Sequence, residues 1–186
     1  MVRTRVGYTG GTTKNPTYYN LGDHTETIQI DYDPAQISYE ELLDVFWDSH
    51  NPAQRPWSRQ YMSIVFYHND GQKRLAMETR DRQAARRQSQ IFTEIVPASE
   101  FYLAEAYHQK YRLRQVPDLM KEFSAMYPAD GDLIDSTAAA RVNGYLAGYG
   151  TVEALQAELS SFGLSPEGGQ KLLDIMYALE RSRIEG

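Results

Sequence analysis

Cysteine is absent from this chain of 186 residues. That excludes disulfides, thiolate metal sites and thiol nucleophiles within these residues. Long apolar runs are absent too, since nothing approaches the ~20 consecutive apolar residues that span a bilayer. The start, Met1 to Gly10, is polar and glycine-rich rather than basic and then apolar, so it does not read as a secretory leader. An excess of positive charge is also lacking. The formal net charge is −6, which argues against a general nucleic-acid or anionic-membrane binder. The four histidines, His24, His50, His68 and His108, show no metal-ligand spacing. Gly10-Gly11 lies in no phosphate-loop pattern, and there are no repeats. These absences leave a cytoplasmic protein as the expectation, a monomer with no bound cofactor or metal.

What is present is ordinary for a soluble globular protein: hydrophobic residues make up 41% and charged residues 24%. The length suffices for one domain plus a smaller one. The fourteen tyrosines are the main oddity. Most read as half-buried packing residues, although a phenol can also donate a hydrogen bond from an otherwise apolar pocket.

Thr4 to Tyr8 reads as a strand with no element before it. Thr25 to Tyr32 alternates, with Ile28, Ile30 and Tyr32 on one face. Ser38 opens a helix with a capping box, Glu41 lying three residues on. Leu42, Leu43, Phe46 and Trp47 form that helix's apolar face. Ser63 to Tyr67 is a short strand, Asn69-Asp70-Gly71 leads into a long charged helix, and Ile91 to Val96 is a further strand. The basic cluster from Arg80 to Arg87 reads as a solvated helix face. After about Arg114 only helices are expected: Pro117 to Met126, one capped by Ser136, one capped by Thr151 and stopped at Gly163, and one begun by Ser165-Pro166. The division predicted is 1–115 for an α+β domain and 116–186 for a small all-α module.

Several segments of the first domain resemble the A-type peptide methionine sulfoxide reductases, in family order and at nearly family spacing. They are Val6-Gly7-Tyr8-Thr9-Gly10-Gly11, Asn15-Pro16-Thr17-Tyr18, His24-Thr25-Glu26, Tyr32-Asp33-Pro34 with Ile37-Ser38-Tyr39, Phe46-Trp47, Gln60-Tyr61, and Pro97-Ala98-Ser99 through Tyr111. The resemblance covers residues 2 to about 112, and the helices beyond resemble an extension carried by one branch of the family. It implies a ferredoxin-like α+β sandwich that reduces the S epimer of methionine sulfoxide to methionine, reversing an oxidative lesion.

Thiol-based sulfoxide reduction needs a thiolate to attack sulfur, an acid to protonate the departing oxygen and an apolar notch for the methyl group. Glu26 matches the family's acid. Alternation also puts it on the face of Ile28 and Ile30, where desolvation would favour the protonated form a donor requires; taken without the motif, it could equally be a solvated strand-end carboxylate. By resemblance, Tyr18 and Tyr61 hydrogen-bond the sulfoxide oxygen and Tyr111 lines the substrate pocket. Pattern alone would make each a packing residue.

Two departures from the family matter. The Gly-Cys-Phe-Trp-Gly motif, which carries the nucleophile and the methyl pocket at a helix N-terminus, is missing. Phe46-Trp47 is no substitute, because it fits the apolar face of a capped helix. The loop from Asn51 to Arg59 also lacks the family's aspartate, and Trp57 and Ser58 are candidates to line the cleft in its place. The expectation is an incomplete chain lacking the first strand and helix, with selenocysteine at the nucleophile position as one route to such a truncation. The 186 residues alone are then expected to be inactive, and a complete protein to be recycled by an external thiol such as thioredoxin. The alternatives are a non-catalytic protein that binds methionine sulfoxide, or an interaction role for the C-terminal helices.

Overall fold

Alternating apolar residues set the strands of the first half, and side-chain caps set where its helices begin. The computed structural model describes residues 2–184. They divide into two units, one of Val6–Glu105, the other of Val2–Arg5 together with the chain from Ala106 on.

The first unit follows the expected order. Strand β1 is Arg3–Thr9 and β2 is Thr25–Asp31. Helix α1, Tyr39–Asp48, starts at the capping box read from the sequence: the Glu41 N–H donates to Ser38 Oγ at 3.2 Å, and the Ser38 N–H donates back to the Glu41 carboxylate at 2.7 Å. Strand β3 is Ile64–Tyr67 and β4 is Glu94–Pro97, with helix α2, Asp70–Arg87, between them. Asn69 caps α2 by accepting from the Gln72 N–H at 2.9 Å. A two-residue strand β5, Tyr102–Leu103, was too short to show a period.

The α+β class is as expected, with the strands falling into two sheets. One has the order β2-β1-β5, with β1 and β5 antiparallel, and the other pairs β3 with β4 in parallel. No ladder joins β2 to β3 among the described residues; the contact there is the Glu26 N–H donating to the Gln60 carbonyl at 3.1 Å, just ahead of β3. Two small apolar clusters result. Leu43, Trp47, Val65 and Ala76 form one, while Tyr8, Leu21 and Ala104 form the other.

The second unit contains α3 (Tyr111–Arg114), α4 (Pro117–Met126), α5 (Asp130–Asp135), α6 (Thr137–Leu146), α7 (Val152–Glu158) and α8 (Pro166–Ile184). Ser136 and Thr151 cap α6 and α7 through their side chains, as read from the sequence. Gly163 ends the turn after α7 at φ +72°, a left-handed conformation that suits glycine. One continuous cluster forms the core, with Leu119, Phe123, Leu155, Leu172 and Met176 fully buried. No described helix is long and apolar enough to cross a membrane.

The division falls about ten residues earlier than the boundary predicted at 115/116, and the chain start counts with the helices. Packing explains both shifts. Leu113 on α3 is fully buried in the helical cluster. Lys110, itself 5% exposed, donates to the Thr4 carbonyl at 2.6 Å and the Ile134 carbonyl at 2.8 Å, while Arg3 pairs with Asp135 at 2.6 Å. Burial lowers the Lys110 ammonium to about 8, against the opposing pull of Asp135.

Candidate active site

The site in the first unit begins at the loop between β1 and β2. Gly10 turns the chain at φ +83°, where an added Cβ would lie 2.8 Å from the Phe66 ring. Beyond it, the Asp23 carboxylate accepts from the N–H and hydroxyl groups of Thr12 and Thr13, all at 2.8 to 3.0 Å. Those bonds hold Asp23 well below the usual carboxylate range, the backbone donors contributing most. His24 is buried beside it. Its Nδ1 accepts from the Gly11 N–H at 3.2 Å and its Nε2 donates to the Thr13 carbonyl at 2.7 Å. His24 is therefore structural, and with Asp23 it fixes the loop that leads to Tyr18. Glu105 holds the far end, its carboxylate taking the Tyr18 N–H at 3.0 Å and the Tyr8 hydroxyl at 2.7 Å.

Glu26 and Tyr61 are brought together by Gln60. The Gln60 side-chain amide donates to the Glu26 carboxylate at 2.8 Å while the Gln60 backbone carbonyl takes the Glu26 N–H, so Tyr61 is the residue next to a two-point clamp on Glu26. The Tyr61 phenol is raised above the ordinary tyrosine range, first by desolvation and then by the nearby Glu26 carboxylate and Tyr18 phenol. Tyr61 thus lies within electrostatic reach of both Glu26 and Tyr18.

The environment of Glu26 differs from the one alternation predicted. Its side chain is exposed, and Ile28 on the same strand is 56% exposed. The face is apolar as expected, but it lines an open groove of about 330 Å³ between β2, α1 and β3, with Phe46 and Met62 among its walls. Among the described residues nothing covers that groove, so the burial predicted to act on Glu26 is not supplied there. Trp47, by contrast, is fully buried in the α1 cluster, which agrees with its reading as a core residue.

The departing loop builds a second cleft. The Phe92 N–H donates to the Pro52 carbonyl at 2.9 Å and Arg59 pairs with Glu94 at 2.7 Å, anchoring both ends. Between these anchors Trp57 is 81% exposed, and its ring lies on Tyr61 with centroids 4.9 Å apart. Together they wall a cleft of about 210 Å³ with His50, Arg55 and Thr93. Ser58 does not share this role, because its hydroxyl is buried without a hydrogen-bond partner in the structure. Tyr111 stands in the second unit, exposed at the first position of α3.

Sequence reasoning gave no role to Asp23, Gln60 or Glu105. Gln60 and Glu105 lie inside quoted motif segments and Asp23 directly precedes one, but the partners that give them their roles are distant in sequence, 34 residues away for Gln60 and 87 and 97 for Glu105.

Comparison with known proteins bears on the family of the chain. The family described as peptide methionine sulfoxide reductase matches residues 1–136, further than the motifs alone suggested. The helical domain of selenoprotein methionine sulfoxide reductase A matches residues 129–170. A peptide methionine sulfoxide reductase of Drosophila melanogaster is 45% identical over 168 residues, covering 89% of this chain and 67% of its own length. The A5 protein of Oryza sativa is 41% identical over 153 residues, covering 79% and 59%. Among solved structures, methionine sulfoxide reductase A of Corynebacterium diphtheriae superposes with a TM-score of 0.53 at 33% identity, covering 62% of this chain and 64% of that one. The chain thus spans about three-fifths to two-thirds of the length of these three relatives.

Proposed function

The chain belongs to the peptide methionine sulfoxide reductase family, and from that membership we propose that it supplies the oxygen-handling half of a site that reduces methionine-S-sulfoxide in peptides and proteins. The observation that best supports this reading is the Gln60 clamp, with its 2.8 Å amide bond to Glu26, which holds an acid near Tyr61, itself near Tyr18. Tyr18 and Tyr61 would donate to the sulfoxide oxygen, and Glu26 would pass it a proton as the S–O bond breaks. The attacking thiolate takes up the oxygen as a sulfenic acid, and the substrate sulfur leaves as methionine. A second thiol then releases the oxygen as water and forms a disulfide.

With no cysteine among the 186 residues, the attacking group must come from outside them. A selenolate would serve in place of the thiolate, and the matched helical domain is that of a selenoprotein reductase. Regeneration by a thioredoxin-like thiol, monomeric state and a cytoplasmic setting belong to the same reading. Trp57 is a candidate substrate contact through its place against Tyr61, whereas Tyr111 rests on the motif match alone.

The test has two arms. The 186 residues with dithiothreitol are expected to give no turnover of a methionine sulfoxide peptide, and robust reduction would overturn the assignment of the nucleophile. In calorimetry the folded chain is expected to bind the S-sulfoxide peptide in preference to the unoxidised one, and equal affinities would overturn the oxygen site. The absence of cysteine also favours a second reading, recognition without reduction. Fusing the family's Gly-Cys-Phe-Trp-Gly segment ahead of Val2 separates the two, because turnover supports reduction and selective binding without turnover supports recognition.

A further inference from the structure

The cleft built by the departing loop has a chemistry of its own. Its volume of about 210 Å³ lies below the ~300–1,000 Å³ of a typical small-molecule site, so it suits one side chain rather than a whole ligand. Tyr61 is a wall of the cleft and also a neighbour of Glu26, which puts the cleft beside the oxygen site. On an extended peptide, successive residues advance by roughly 3.3 Å, so a residue flanking the oxidised methionine is within reach of it.

The lining chooses which residue. No aspartate or glutamate contributes to it, and Arg55 is its one permanently charged side chain. Among the described residues no carboxylate pairs with Arg55. Burial disfavours the charged form of His50 by lowering its pKa, and its Nδ1 lies 2.8 Å from the Phe46 carbonyl. Asn51 Oδ1 accepts from the Ala53 N–H at 3.1 Å, which leaves its amide N–H groups as donors. The exposed Trp57 ring offers an apolar floor for a methylene stem. Cation and donors over an apolar floor complement a carboxylate on a short aliphatic chain.

We propose that this cleft is a specificity subsite selecting methionine sulfoxide flanked by an acidic residue, with Arg55 as the discriminating group. It rests on the oxygen-site reading above. It also runs against the whole-molecule field, since a chain of net charge −6 repels acidic peptides in general. A preference for them would therefore be local.

The experiment titrates the 186-residue chain with three sulfoxide peptides, flanked by glutamate, alanine or lysine, together with their unoxidised counterparts. The readout is the fluorescence of exposed Trp57, the other tryptophan, Trp47, being fully buried. The glutamate peptide is expected to bind about five-fold tighter than the alanine one, and the lysine peptide weaker than both. Half-molar salt and Arg55→Gln should each level the three, with binding of the alanine peptide kept. Equal affinities for the three flanks, or an acidic preference that survives Arg55→Gln, would overturn the subsite while leaving the oxygen site standing. Equal binding of oxidised and unoxidised peptides would instead overturn the oxygen site, and the glutamate-to-lysine ratio would still judge the subsite.

Discussion

The two units bury apolar residues on different scales. In the second, thirteen buried residues from α3 through α8 join in one cluster. In the first, buried residues fall into separate groups of four and three, and Ile28, Trp57 and Tyr61 stand in the open. Yet the groups with chemical potential lie in that thinly buried unit. Polar side chains there are held by hydrogen bonds to loops, as Asp23 and Gln60 do, while the helices are held by close packing.

Truncating each core would break that comparison most directly. Phe123→Ala is expected to destabilise the helical unit by about 3–5 kcal/mol, while Leu43→Ala in the smaller cluster should cost only about 2 kcal/mol, because a shallow site collapses or hydrates more easily. Hydrogen exchange at α4 and α1 amides would measure both. Equal costs would mean that cluster size does not govern these cores.

Titration gives the next effect. Lys110 has a folded value of about 8 against an ordinary 10.5, so across that range the unfolded chain binds more protons and stability rises with pH. Urea unfolding followed by helical circular dichroism should gain roughly 2 kcal/mol between pH 8 and 10. Lys110→Met should flatten that slope. Tyr145, pushed up to about 12 chiefly by burial, acts in the opposite sense only above pH 10, where the unfolded phenol ionises first. A flat wild-type profile would refute the desolvation of Lys110.

Smaller effects sharpen the contrast within the first unit. Ser38→Ala should cost about 1 kcal/mol in thermal unfolding, through the lost cap and the loosened Glu41. Glu26→Gln and Tyr61→Phe, both at exposed positions, should change stability by less than about 0.5 kcal/mol. Each should nevertheless weaken sulfoxide binding or slow reduction in a cysteine-bearing version. A large stability loss would mean that these residues serve the fold rather than the oxygen site.

Sequence reading succeeded where the deciding bond is local. The Ser38–Glu41 box, the Ser136 and Thr151 caps, the start of α8 at Pro166 and the glycine stop at Gly163 all span three or four residues, and all were found. Strand β5 and helices α3 and α5 were missed because two to six residues show no period. Tyr18, Glu26 and Tyr61 were legible as motif residues, but the Gln60 clamp, the Asp23–His24 loop and Glu105 were not, since each needs partners from another part of the chain.

Alone, the sequence determined the order of the longer elements, most of the caps, the absence of a thiol and the candidates for oxygen handling, because each is written in neighbouring residues, in a motif or in composition. Tertiary structure decided three further things. It put Glu26 in an open groove rather than a closed apolar face, drew Val2–Arg5 to the helices through Lys110, and turned the Asn51–Arg59 loop into a cleft against Tyr61. Alternation tells which face of a strand is apolar, but what covers that face depends on residues distant in sequence, and so does the burial that sets its chemistry.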